Sequence, residues 1–166
     1  QRYLPVIRGI SSTFQKGDTL SLSLKITPSG KIILDDTCDL TGFFNHHHSS
    51  QVTDQYDHFA LNLSLGEWTS DAQEALHRLG RFGVTDLTID GKIGVDGAKY
   101  LASSEAFASL ERLDLSDNNI GPEGVQAIAQ SPNFPKLESL DLSSNDISSQ
   151  TQDILRQQKA SIRFRF

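Results

Sequence analysis

Polar and apolar residues alternate without a break from Thr19 to Ile26, with Leu20, Leu22, Leu24 and Ile26 on one side. A period of two is the signature of a strand with one buried face. Thr27-Pro28-Ser29-Gly30 follows, with proline where a type I turn takes it and glycine where a positive φ is needed. Lys31 to Leu34 then runs back, so the segment predicts a β-hairpin. Shorter alternating runs return at Ala60–Leu65, Val84–Ile89, Leu110–Leu115 and Leu137–Leu142, and Ser161–Phe166 alternates to the last residue.

Helical periodicity fills the intervals. Ser70-Asp71-Ala72-Gln73 reads as a capping box ahead of Ala75, Leu76 and Leu79, with Gly80 as C-cap. Asp96-Gly97-Ala98 leads into Tyr100 and Leu101. Pro122 suits the first turn of a helix that carries Val125, Ile128 and Ala129. Ser149-Gln150-Thr151-Gln152 reads as a second capping box before Ile154 and Leu155.

Two of these β–α units share one pattern, L-x-x-L-x-L-x-x-N-x-I. Leu110 to Ile120 carries it first, and Leu137 to Ile147 carries it again. The leucines alternate with polar residues. Asn118 and Asn145 then end each run, where an amide side chain can satisfy the main chain of a turn. Stacking the copies lines up the asparagines as a ladder and sets Asp114 beside Asp141 on the exposed side, about 5 Å apart. Val84–Ile89 is a partial copy that lacks the asparagine and is one residue short after Asp90. Ala60–Leu65 is weaker, with Ala60 in the first leucine slot. Aligned on Leu63, Leu87, Leu113 and Leu140, the step from unit to unit lengthens along the chain.

Over about residues 59–162 the chain resembles the leucine-rich repeat family, and its long helical spacers resemble the ribonuclease-inhibitor-like type. The resemblance implies an α/β fold, a short leucine-rich repeat solenoid of parallel strands with outer helices. Residues 59–166 would then be the repeats with a C-terminal edge strand. Residues 1–58 would be an N-terminal β-hairpin cap over the open apolar end, or a separate small β subdomain. Within them, 37–58 reads as a polar exposed loop.

The resemblance also implies a protein–protein interaction module that binds through the exposed strand face. The partner-facing residues are then Asn62, Ser64, Asp86, Thr88, Arg112, Asp114, Ser116, Ser139, Asp141, Ser143 and Arg163. Family members tied to ubiquitin transfer, GTPase activation or innate immune signalling use their repeats in this way. The alternative is therefore a substrate-recognition or regulatory tail of a larger enzyme or signalling protein. The chain starts at Gln1 rather than Met, which reads as a fragment or a processed form.

Charge sharpens the choice of partner. The formal net charge is −6 over 166 residues. Residues 84–160 hold 12 acidic and 6 basic side chains, so they alone carry that charge. An acidic face fits a basic protein and argues against nucleic acid, whose phosphates call for clustered Lys and Arg. No apolar run approaches the roughly 20 residues that span a bilayer, so no membrane partner is expected. Cys38, the one cysteine, allows no internal disulfide, which favours a reducing compartment: the cytoplasm, or a host cytoplasm after delivery. Oligomeric state is left open.

The remaining candidate chemistry is weak. His46-His47-His48 near Asp35, Asp36, Cys38 and Asp39 has zinc-ligand residue types but no ligand spacing. Cys38 lacks any nucleophile signature around it. Gly91-Lys92-Ile93-Gly94 precedes a helix, but its lysine is not followed by Ser or Thr. Arg163 is expected beside Asp141, where it would compensate charge and leave no catalytic dyad. No catalytic residue, metal or cofactor is expected, and the chain is not expected to be an enzyme.

Overall fold

The computed structural model describes residues 19–35, 38–46 and 57–166. Their strands are β1 (Thr19–Ile26), β2 (Ile32–Asp35), β3 (Cys38–Asp39), β4 (His58–Leu65), β5 (Asp86–Asp90), β6 (Arg112–Asp114), β7 (Ser139–Asp141) and β8 (Arg163–Arg165). The helices are α1 (Thr41–His46), α2 (Ser70–Gly80), α3 (Gly94–Ser103), α4 (Gly121–Gln130) and α5 (Ser149–Gln158). A 3₁₀ turn spans Glu105–Phe107.

All eight strands lie in one sheet in the order β3-β2-β1-β4-β5-β6-β7-β8. From β1 through β8 the neighbours are parallel, and only the β1–β2 and β2–β3 pairs are antiparallel. The architecture from β4 onward is an alternation of strand and helix on a largely parallel sheet. The hairpin strand β1 pairs with β4 along its whole length, from Thr19 beside His58 to Ile26 beside Leu65.

One face of this sheet is the core. Leu22, Leu61, Leu87, Leu113 and Leu140 form a buried row across five strands. Helices α2, α3 and α4 close over it with Leu76, Leu79, Leu101, Val125 and Ile128. Each such side chain contributes about 2 kcal/mol by leaving water. Phe164, next in the row, is only half-buried, because among the described residues β8 has a strand on one side alone.

Register corrects one alignment. Leu61, not Leu63, pairs with Leu87, so Ala60 faces Asp86 rather than Val84. Aligned on Leu61, Leu87, Leu113 and Leu140, the step from strand to strand is nearly constant rather than lengthening. A slip of two keeps every side chain on its own face, so alternation alone could not detect it.

Local signals also moved. Thr69, not Ser70, caps α2, and its hydroxyl oxygen accepts the Ala72 N–H at 3.1 Å. Ser148, not Ser149, caps α5 through the Thr151 N–H. In both cases a hydroxyl residue one position earlier has the extended backbone that an N-cap requires. Gly80 is the last residue of α2 rather than its cap; a Cβ there would lie 2.7 Å from the Phe107 ring.

The polar loop expected over 37–58 also needs correcting. Residues 38–46 form β3 and α1. Phe43 and Phe44 are buried there, and the Phe44 ring meets Phe82 edge-on at 5.0 Å. The apolar pair anchors a segment whose composition is otherwise polar. Residues 47–56, with His47 and His48, lie outside the described residues.

Candidate functional site

The turns that follow the strands hold the face in place. Asn118 is buried and donates to the carbonyl oxygens of Ile89 at 2.6 Å and Ser116 at 3.0 Å. Asn145 donates to Leu115, Leu142 and Ser143 carbonyls and accepts the N–H groups of Asn118 and Ile120. Each asparagine thus satisfies its own turn and the turn one repeat upstream. Flanking residues take left-handed backbone: Lys92, Asp117, Asn119, Ser144 and Asp146 have φ between 52° and 59°. Lys92 and Asp117 pair across two turns at 2.6 Å.

Opposite the core, the strands present parallel rows of side chains that are polar but for Ala60. One row runs Ser21, Ala60, Asp86, Arg112, Ser139, Arg163. The next runs Ser23, Asn62, Thr88, Asp114, Asp141, Arg165. A third holds Lys25, Ser64 and Asp90.

Of the eleven residues expected on the face, nine lie on strands in these rows. Ser116 and Ser143 lie just beyond β6 and β7, where each donates its N–H and hydroxyl to Oδ1 of Asp114 or Asp141. The two aspartates therefore close their own turns as well as facing solvent. They are neighbours, as expected. The cation beside Asp141 is Arg165, at 3.5 Å, whereas Arg163 stands beside Ser139. The expected pairing was off by one alternate position, which is again a same-face slip.

Arg112 pairs with Asp86 across strands at 2.9 Å. Its hydrogen bond to Asp86 and the nearby carboxylate charge raise the guanidinium pKa above its ordinary value. His58 Nε2 lies 3.3 Å from Glu111 Oε2 at the entrance to the strands. Reading the sequence missed Ser21, Ser23, Lys25, Asp90 and Arg165 as members of the face. For the three residues of β1 the alternation was visible, but the parallel junction with β4 was not.

Among the described residues, two shallow depressions mark the face. One, of about 370 Å³, spans β1, β4 and β5 between Lys25, Leu34 and Asp90. The other, of about 280 Å³, spans β5, β6 and β7 between Asp86, Arg112 and Asp141. They meet at Thr88. Among the described residues no group of His, Cys, Asp and Glu is placed to hold a metal ion, and no helix is long and apolar enough to cross a membrane.

A family model described as Leucine Rich repeat matches residues 108–129 and 135–150. A leucine-rich-repeat motif is present there. The match takes in the two clean copies, nearly all of α4 and the start of α5. No curated protein matches the chain.

Proposed function

We propose that the chain is a protein–protein interaction module that binds its partner on the polar strand face and carries out no chemistry there. The observation behind this reading is the face itself: three registered rows of mostly small or charged side chains on a sheet whose backbone is already paired. The reading extends to a repeat array of the ribonuclease-inhibitor-like type. A near-constant step from Leu61 to Leu87, Leu113 and Leu140 supports it, as does a full helix after each of β4, β5, β6 and β7. The β1–β2 hairpin then serves as its N-terminal cap. A single cysteine supports work in a reducing compartment.

Affinity capture with the whole chain tests the face. Thr88→Lys with Ser139→Lys places bulk and charge at two positions where the side chain makes no hydrogen bond among the described residues. Gln126→Lys alters the exposed side of α4 instead. Loss of the captured protein in the first variant and retention in the second is expected, with equal thermal midpoints. The opposite pattern would place the partner on the helices.

A further inference from the structure

We propose that the hollow over β1, β4 and β5 seats a helix of a protein partner that crosses the strands and carries an acidic and a basic residue seven positions apart. The inference rests on the face reading above and supplies the chemistry of the docked element.

Register puts Lys25, Ser64 and Asp90 side by side on three adjacent strands. Opposite charges therefore stand two strand spacings apart, about 9.6 Å, with a serine between them. Both charged side chains are exposed, and neither has a hydrogen bond or ion pair among the described residues. Arg163, on the last strand beside Ser139, also stands without an ion pair among the described residues, but no unpaired carboxylate shares its row. Asp86 with Arg112 and Asp141 with Arg165 are opposite charges one strand apart that satisfy each other. At Lys25 and Asp90 the complementarity is left for an occupant.

The space between them is shaped for one. Asn62, Ser64 and Thr88 are short, and they leave the depression of about 370 Å³ that Leu34 flanks with apolar surface. On a helix, residues i and i+7 share a face and lie about 10.5 Å apart, which matches the Lys25–Asp90 span. An extended segment offers same-side residues about 6.7 or 13 Å apart, and neither matches. A small residue midway along the helix sits over Ser64, and an apolar neighbour rests on Leu34. A uniformly basic partner would meet Lys25 and be repelled, so the overall acidity of the repeats does not describe this part of the face.

Three helix-stabilised peptides of about 18 residues test this. They differ only at positions i and i+7, which are Glu/Lys, Lys/Lys or Glu/Glu. Each is titrated into the whole ¹⁵N-labelled chain while the Ser64 and Thr88 amides are followed. The Glu/Lys peptide should bind about three- to tenfold tighter than either like-charged one. Asp90→Lys should turn the preference to Glu/Glu, and Lys25→Glu should turn it to Lys/Lys. Equal affinities, or preferences untouched by the two substitutions, overturn the proposal. So does self-association of the free chain that the same substitutions abolish, since that would give the hollow to a second copy. If capture responds to Thr88→Lys and Ser139→Lys while the peptides do not discriminate, this proposal falls alone. If capture ignores that variant too, the face reading falls with it.

Discussion

The side-chain oxygen of Asn145 accepts the backbone N–H of Asn118, 3.1 Å away in the turn one repeat upstream. The same oxygen takes the Ile120 N–H at 3.2 Å, while the amide nitrogen donates to three carbonyls. Asn145→Ala would leave several buried groups unmet and should cost about 3 kcal/mol or more in urea unfolding. Asn118→Ala loses fewer bonds and should cost less. Equal costs would mean that the additional bonds of Asn145 contribute nothing.

Thr69 joins the hairpin to α2. Its hydroxyl donates to the Pro28 carbonyl at 2.6 Å and its oxygen caps the helix at Ala72. Thr69→Val removes both bonds and keeps the shape, so a loss of about 1–2 kcal/mol is expected, with Thr69→Ser near the parent. Thermal melting of the three proteins would show it.

Gly30 and Gly83 separate two reasons for a glycine. Both have positive φ, 78° and 72°. A Cβ at Gly30 would lie 2.7 Å from the Asp71 carbonyl oxygen, whereas no described residue lies within 4 Å of one at Gly83. Gly83→Ala should cost about 1 kcal/mol, the backbone strain alone. Gly30→Ala should cost clearly more, as read from denaturation midpoints at constant slope.

Burial pushes the Tyr100 phenol above its ordinary value of 10.0, with the Glu74 charge adding to the shift and a Ser104 hydrogen bond opposing it. A raised folded-state pKa means that the neutral form is favoured in the native protein. The stability it supplies is complete below pH 10 and is lost as pH climbs from there through the folded value. Ultraviolet titration of the folded chain should show a late phenol that Tyr100→Phe removes, and that substitution should flatten the alkaline limb of the stability curve.

Much of this was legible in the residues. Leu113 and Leu115 recur as Leu140 and Leu142, and Asn118 recurs as Asn145; side-chain period and turn chemistry are local, so two strands and their turns could be placed at once. The hairpin followed from Pro28 and Gly30 for the same reason. Register did not follow. Leu61 and Leu63 both satisfy a two-residue period beside Leu87, and only packing chooses between them. Asp141 facing Arg165 rather than Arg163 is the same ambiguity. Membership of β1 in the face was hidden because β1 pairs with β4 across an interval that holds β2, β3 and α1. Phe43 and Phe44 were lost in a polar neighbourhood because two apolar residues on a short helix make no period.

From Ile89 to Ile93 the chain takes one residue fewer than from Leu115 to Ile120, yet Leu87 still stands beside Leu113, and α4 still lies against α3, with Gly124 close to Ala98. The difference is absorbed entirely in the turn, after the strand has been fixed and before the helix begins. A unit can therefore gain or lose a residue at that bend without renegotiating the position of any other. In such a chain the turns are the natural sites for length variation among descendants, and for the insertion of a tag or a label.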